Sequence, residues 1–360
     1  MKNLISYNNW QSLNEGGWAS AKTQETPLTP QVIALVVAEM ELIAAEFNSH
    51  LSELGLPSLD FVKPIGSGTW WKEDLKDQPE KTYGDVDYMV AYPTLKLTAG
   101  DSKADETATI KLYNKELLML MEADKWKNIE LEDTKAASTD TSVKLILKIE
   151  IEPGVPGWVQ VDMVVTQKEY QDWAVFRYTP IRNVKGFVLG NLYSSFGEVL
   201  DVSIMSKGVR VKFEGEVMRP FNKRKNVSER VISANAQTFM EDIARFFWEQ
   251  ANTGLPYKSS DTLSNWKGMD RNNPQFEDLC LGIRAVADTL SSLGEFGSTI
   301  KYKSAQDLLN AVIDRYEKKM TDTAKSSKFD KAVTPAAKAV VEKIQGLITK
   351  YVALSKELLK

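Results

Sequence analysis

Hydrophobic residues recur every three or four positions between residues 30 and 54, the spacing of a helix that buries one face. Thr29 and Pro30 supply an N-cap and a proline at the first helical position, and Gly55 marks the end. The pattern therefore predicts a long amphipathic helix ahead of the first strand.

Short apolar runs and alternating patterns predict the elements that follow. Polar and charged stretches between them, at 70–82, 96–109 and 133–141, are predicted to be loops or exposed insertions. The predicted elements are strands at 59–65 and 85–92, a helix at 110–127, and a hairpin of strands at 143–150 and 158–165 with its turn at 153–157.

From about residue 225 onward the character of the chain changes, because helical patterns come to dominate. The length allows two domains. We therefore predict an α+β fold with an N-terminal arm at 1–29, a mixed-sheet catalytic domain at 30–220 and a helical domain at 221–360. The elements predicted after the first hairpin are helices at 183–198, 234–250, 276–293, 305–320 and 335–359, and a second hairpin at 199–217.

Composition restricts the chemistry more than the fold. A net charge of -4 argues against a surface coated in positive charge for bulk nucleic-acid binding. With one cysteine, Cys280, and one histidine, His50, the chain can form neither an internal disulfide nor a zinc site of the Cys/His type. Neither a signal-peptide pattern nor a membrane-spanning apolar run is present, so a cytoplasmic protein is expected.

The candidate chemistry begins with two aspartates on the second predicted strand. Residues i and i+2 of a strand point to the same face, so Asp85 and Asp87 project side by side, about 7 Å apart. Two like charges this close on an apolar element need a cation, and oxygen ligands suit Mg²⁺. Upstream, the turn Gly66-Ser67-Gly68 offers backbone N–H groups and a hydroxyl to a phosphate.

A third carboxylate, Asp162, interrupts the apolar strand at 158–165. Buried aspartates are uncommon unless they are paired or bind a metal. If this strand lies beside that of Asp85 and Asp87, three carboxylates can hold two Mg²⁺ ions, with Mn²⁺ as the alternative, about 4 Å apart for in-line phosphoryl transfer. Asp162 is then the ligand nearest the attacking hydroxyl and a candidate general base.

Each motif alone has a plainer interpretation. The glycine-serine turn can be a simple turn, the two aspartates a solvated strand edge, and Asp162 a core residue paired with an arginine. Their order along the chain, with each aspartate on a predicted strand, favours a single site.

This order of helix, strand, Gly-Ser turn, Asp-x-Asp strand, helix and hairpin with a third aspartate resembles the nucleotidyltransferase superfamily. That superfamily includes poly(A) polymerases, archaeal-type CCA-adding enzymes, oligoadenylate synthases and cyclic-oligonucleotide synthases. The resemblance extends over residues 30–250 and implies a nucleotidyltransferase core, although the loop between Ser67 and Asp85 is longer than the family usually shows.

The resemblance also implies an NTP substrate, with ATP favoured, and roles for individual residues. Members often place a phosphate-binding lysine on a helix after the third aspartate, and Lys185, with Arg182 behind it, is the candidate here. The assignments are Gly66, Ser67 and Lys185 for the nucleotide, and Asp85, Asp87 and Asp162 for metal binding and catalysis.

A basic run near the domain boundary points to the acceptor. Arg219, Lys223, Arg224 and Lys225 can guide an RNA 3′ end toward the metals, although a solvated linker is the plainer interpretation. Two other functions stay open. One is transfer to another acceptor, which would make a small (cyclic) nucleotide signal or modify a protein or small molecule. The other is a catalytically inactive binding protein on the same fold.

Overall fold

The computed structural model describes residues 26–98, 102–123, 126, 128–139, 142–179, 186–215, 217–220, 222, 225–251, 281–288 and 304–324, with a few positions between 346 and 357. By compactness the chain divides into two units, Met1–Arg182 and Asn183–Lys360. The predicted arm at 1–29 lies almost entirely outside the described residues, and the predicted boundary at residue 220 stays a prediction.

The first unit contains a four-stranded mixed sheet with the strand order β1-β2-β4-β3. β2 and β4 run parallel, whereas the outer pairs, β1–β2 and β3–β4, are antiparallel. The predicted α+β class is confirmed. The elements of this unit are α1 (Pro30–Glu53), β1 (Asp60–Ile65), a 3-10 helix (Gly66–Trp70), α2 (Trp71–Asp77), β2 (Val86–Tyr92), α3 (Ser102–Glu122), α4 (Leu131–Ala137), β3 (Lys144–Glu152), β4 (Val155–Gln167), a second 3-10 helix (Lys168–Tyr170) and α5 (Gln171–Tyr178).

α1 forms where its hydrophobic spacing and its cap predict. The Thr29 hydroxyl accepts a hydrogen bond from the Val32 amide at 3.3 Å, and Pro30 occupies the first turn. The apolar face of α1 joins one large core with side chains of β2, β3, β4 and α3, and removal of this surface from water stabilises the unit. The buried hydrophobic residues that α1 contributes, besides Pro30, are Val32, Ile33, Val36, Met40, Ile43, Phe47 and Leu51.

The strands divide their side chains between the two faces of the sheet. Tyr88 of β2 belongs to the large core, whereas its neighbour Met89 joins a smaller cluster with Ile65 and with Ala174 of α5. Because side chains alternate along a strand, Asp87 shares the face of Met89. The Asp-x-Asp motif therefore lies on the side of the sheet that carries the smaller cluster.

All three stretches predicted as loops between these elements contain helical residues, and the loop predictions are wrong there. α2 lies within 70–82, α3 begins at Ser102 instead of residue 110, and α4 covers the first part of 133–141. These segments are rich in charged residues and show little hydrophobic periodicity, so their sequences carry a weak helical signal.

α2 is held by a buried carboxylate. Asp74 is 0% exposed, and its Oδ2 accepts hydrogen bonds from the Tyr83 hydroxyl and the Lys81 ammonium group, each at 2.5 Å. A short helix is marginal on its own, so these contacts with the segment that leads to β2 stabilise it. The segment between the glycine-serine turn and Asp85 is thus compact despite its length.

The second unit, described by itself, combines a small sheet with helices. The predicted hairpin is confirmed as β5 and β6, and β8, which the pattern did not reveal, also pairs with β6. The predicted helix at 335–359 lies mostly outside the described residues. Among the described helices, none combines the length and apolar character needed to cross a membrane. The elements are α6 (Gly186–Leu200), β5 (Ser203–Met205), β6 (Gly208–Glu214), β7 (Val217–Arg219), β8 (Ser228–Ser233), α7 (Phe239–Ala251), a helical segment at 281–288 and α8 (Ala305–Ala324).

Candidate metal centre

Strand pairing brings the three predicted carboxylates together. Asp87 of β2 lies directly opposite Asp162 of β4, and directly opposite residues share a face of the sheet. Asp85 stands two positions before Asp87 and adds its carboxylate from just outside the strand. One oxygen from each of the three residues lies within 4.8 Å of the others, so the oxygens can share a metal ion. The convergence is observed, whereas the catalytic roles of these residues stay predictions.

The electrostatics of this cluster favour a bound cation. Burial raises the pKa of Asp87 well above its usual range, and the neighbouring carboxylates of Asp85 and Asp162 raise the pKa further. The Lys144 ammonium group acts in the opposite direction and lowers it. A divalent ion would relieve the same repulsion, because it favours the charged form of each carboxylate.

Asp162 is held by two neighbours that the sequence analysis missed. The Gln160 side-chain amide donates a hydrogen bond to Oδ1 at 2.6 Å, and the Lys144 Nζ lies 3.1 Å from Oδ2. Lys144 stands directly opposite Asp162 on β3. The alternative of a core ion pair for Asp162 is thus partly realised, with a lysine in place of an arginine. A signal was available, since the lysines of β3 alternate with its buried residues and lie on one face.

The glycine-serine turn begins next to this cluster, because Ile65 at the end of β1 lies opposite Asp87. Gly66 has a φ of +62°, and a Cβ at this position would lie 2.8 Å from Oδ2 of Asp87. A glycine therefore leaves space beside this oxygen that any side chain would fill. Three carboxylates, one of them beside a space kept open in this way, are a donor set that fits Mg²⁺ or Mn²⁺.

The remaining nucleotide-site predictions receive no test from the described residues. The backbone of Ser67 belongs to the 3-10 helix after β1, but its side chain is outside the description. Lys185 and Arg182 lie in the segment 180–185, which is also outside the described residues. Their proposed phosphate contacts stay predictions.

The basic run is less positive than its sequence indicates. The Arg219 guanidinium donates a hydrogen bond to the Glu214 carboxylate at 2.8 Å. Lys225 is exposed, while Lys223 and Arg224 lie outside the described residues. On the neighbouring strand β6, Arg210 forms an ion pair with Glu229. Carboxylates therefore neutralise part of the surface proposed to attract RNA.

Comparison with known proteins yields little. No protein-family model matches the chain, and no curated protein matches it. One solved structure that resembles it is Leishmania infantum polymerase beta in a ternary P/T complex. The TM-score is 0.34 with 12% sequence identity, and the match covers 70% of this chain and 76% of that chain.

The space beside Asp87 can be tested with two glycines in the same backbone conformation. Gly66→Ala and Gly55→Ala both place a Cβ at positive φ, and each is expected to cost about 1–2 kcal/mol of unfolding free energy. Only the Cβ at position 66 would meet Asp87, since position 55 has no atom within 4 Å. We therefore expect Gly66→Ala alone to weaken Mn²⁺ binding, measured by titration of the folded proteins. Equal Mn²⁺ affinity in both variants would contradict this expectation.

The raised pKa of Asp87 predicts how the stability of the metal-free protein changes with pH. The folded state binds a proton at Asp87 more readily than the unfolded state does. The stability that this proton contributes is therefore fully present below the usual pKa of 3.8. It is lost as the pH rises through the higher pKa of the folded protein. In urea unfolding with EDTA across a pH series, Asp87→Asn should therefore become more stable relative to the original protein as pH rises.

A surface carboxylate provides the control for this pH series. Asp60 forms an exposed ion pair with Lys168 at 3.0 Å, so Asp60→Asn should not reproduce the trend. If the stability difference between Asp87→Asn and the original protein is the same at every pH, the pKa of Asp87 is not raised in the folded protein.

Proposed function

We propose that this chain is a metal-dependent nucleotidyltransferase. It transfers a nucleoside monophosphate from an NTP, with ATP favoured, to an acceptor hydroxyl, and the favoured acceptor is an RNA 3′ end. One observation carries the proposal: carboxylate oxygens of Asp85, Asp87 and Asp162 converge within 4.8 Å on the sheet face beside the glycine-serine turn. A hard-cation site next to a turn rich in backbone N–H groups suits a metal-bound triphosphate.

Each part of the cluster has a defined task in this proposal. Asp85, Asp87 and Asp162 would hold Mg²⁺, which would offset the phosphate charge and lower the pKa of the attacking hydroxyl. The acceptor oxygen forms a bond to the α-phosphorus while the bond to the bridging oxygen breaks, and pyrophosphate leaves with the electron pair. A carboxylate oxygen of Asp162 takes the hydroxyl proton, since the protein donors occupy only two of its lone pairs.

A third residue, just after the turn, supports phosphate binding. The Thr69 hydroxyl oxygen, in the 3-10 helix Gly66–Trp70, is buried and has no hydrogen-bond partner among the described residues. A buried hydroxyl without a partner costs free energy, and a phosphate oxygen is a suitable acceptor for it. We therefore add Thr69 to Gly66 and Ser67 as a candidate phosphate ligand.

A second candidate function differs from the first only in its acceptor. Because Arg219 and Arg210 are paired with glutamates, the described part of the basic surface offers little free positive charge to RNA. This observation supports this second candidate function, in which the acceptor is a second nucleotide, a protein hydroxyl or a small molecule. The chemistry at the aspartates would be the same.

Incorporation of labelled NTPs separates these acceptors. Full-length protein is incubated with Mg²⁺ or Mn²⁺, each labelled NTP and a pool of short RNAs. Lengthened RNA supports the favoured function, whereas a small labelled product or labelled protein supports the second candidate. Absence of turnover with every NTP and both metals, in protein that is folded and binds Mn²⁺, would overturn the proposal in favour of an inactive binding protein.

A further inference from the structure

The ion pair between Lys144 and Asp162 lies inside the carboxylate cluster, not at the surface. The Lys144 and Asp162 side chains are only 14% and 10% exposed. The other oxygen of Asp162 accepts the hydrogen bond from Gln160, which is 2% exposed. Both oxygens of Asp162 are therefore engaged by protein donors, and a metal ion at this carboxylate must share an oxygen with Gln160 or Lys144 or displace one of them.

The charge of the cluster shows what the lysine does. Asp85, Asp87 and Asp162 bring three negative charges when ionised, and Lys144 brings one positive charge. The ammonium group also reaches beyond Asp162, because it lowers the pKa of Asp87. With Lys144 in place, the net charge of the four groups matches a single divalent cation, and a second cation would meet a site without excess negative charge.

We propose that Lys144 is a positioning residue that serves as the internal counter-ion of the carboxylate cluster. Its ammonium group holds Asp162 in the metal-free protein, and a divalent ion reaches Asp162 only in competition with it. One ion binds through Asp85 and Asp87 while Lys144 stays in place. This inference rests on the metal site of the proposed function, but its test does not require turnover.

The competing explanation is that Lys144 only joins β3 to β4. The two explanations predict opposite changes in metal affinity. Loss of a purely structural contact would loosen Asp162 and weaken metal binding. Loss of a competing cation would strengthen it.

The test is a titration of full-length protein with Mn²⁺ alone, with free Mn²⁺ followed by electron paramagnetic resonance. We expect Lys144→Met to bind Mn²⁺ about tenfold more tightly, because without the ammonium group Asp162 can join Asp85 and Asp87 as a ligand. Lys144→Arg keeps the positive charge and should return the affinity to that of the original protein. Lys144→Gln, also uncharged, replaces Lys144→Met if the latter does not fold. Unchanged or weaker binding in the uncharged variants would overturn the inference.

Lys148 provides the matched control. It lies four residues further along the same strand, is exposed, and has its Nζ 5.7 Å from the centroid of the Trp158 ring. Lys148→Met therefore removes a lysine from the same strand without touching Asp162, and it should leave Mn²⁺ binding unchanged. An equal gain in both methionine variants would overturn the inference, because it would reflect net charge and not the contact.

The outcomes distinguish this inference from the proposed function. Tighter Mn²⁺ binding in Lys144→Met without NTP turnover in any protein supports the counter-ion and overturns the transferase. NTP turnover with unchanged Mn²⁺ affinity in Lys144→Met supports the transferase and overturns the counter-ion. If the original protein binds no Mn²⁺, both fall, because the shared metal site is then absent.

Discussion

Replacing Asp85 or Asp87 with alanine is expected to lower nucleotide incorporation by about a thousandfold or more, the scale on which loss of one group that stabilises developing charge acts. Both carboxylates lie in a cluster whose oxygens approach within 4.8 Å, and neither replacement leaves a ligand that can take over. Because removal of one charge also relieves repulsion on the others, the folded protein should survive the change. The expected result is therefore a large loss of activity without a loss of stability.

The measurement is the rate of labelled-NTP incorporation at saturating Mg²⁺, with the unfolding midpoint recorded for each variant. Asp60→Ala is the control, because Asp60 stands on the adjacent strand β1 in an exposed ion pair with Lys168. Its activity should stay within about twofold of the original, as expected for a surface pair of small energetic effect. Asp85→Ala or Asp87→Ala variants that keep a comparable rate would show that catalysis does not depend on this cluster.

Replacing Asp162 with leucine is expected to destabilise the metal-free protein by about 3 kcal/mol, because it leaves a mostly buried lysine without its counter-ion. The Lys144 ammonium group lies 3.1 Å from the Asp162 carboxylate with 14% of its side chain exposed. The direction is opposite to that expected for Asp87→Asn at neutral pH. Replacement of Asp162 and replacement of Asp87 thus change the stability in opposite directions, because only Asp162 has a lysine directly opposite.

A double-mutant cycle tests this second prediction. Lys144→Met combined with Asp162→Leu removes both charges, so the double variant should regain most of the lost stability, with a coupling energy of about 2 kcal/mol. The exposed pair of Lys168 and Asp60 gives a matched cycle in the same unit and should couple by less than about 1 kcal/mol. Denaturant unfolding with EDTA supplies all the values. Similar coupling in both cycles would contradict the special role of the buried pair.

Much of the first unit could be predicted from hydrophobic pattern alone. α1 has regular spacing because it buries one face, and the four strands are short apolar or alternating runs, so their positions agree with the prediction. α2 and α4 were missed for the opposite reason. Their stability depends on contacts with residues outside the helix, such as the hydrogen bond between Asp74 of α2 and Tyr83. Such contacts leave no periodic signal in the sequence.

The sequence by itself determined which residue types form the candidate site. The i, i+2 spacing places Asp85 and Asp87 on one face whatever their partners are, because the side-chain period of a strand is two. The cost of burying a carboxylate identified Asp162 as a third member. A small-residue turn after the preceding strand completed the group, and Gly66 is the position at which an added Cβ would meet Asp87.

Only the tertiary structure decided how these residues meet. The parallel register that sets Asp87 opposite Asp162 joins strands distant along the chain, and such pairings are selected by packing of the whole core. A bulge at Ile151 decided the counter-ion, since without this extra residue Leu145 would lie opposite Asp162 in place of Lys144. A slip of one residue exchanges the faces of a strand, so the chemistry of this centre depends on a register that no local pattern specifies.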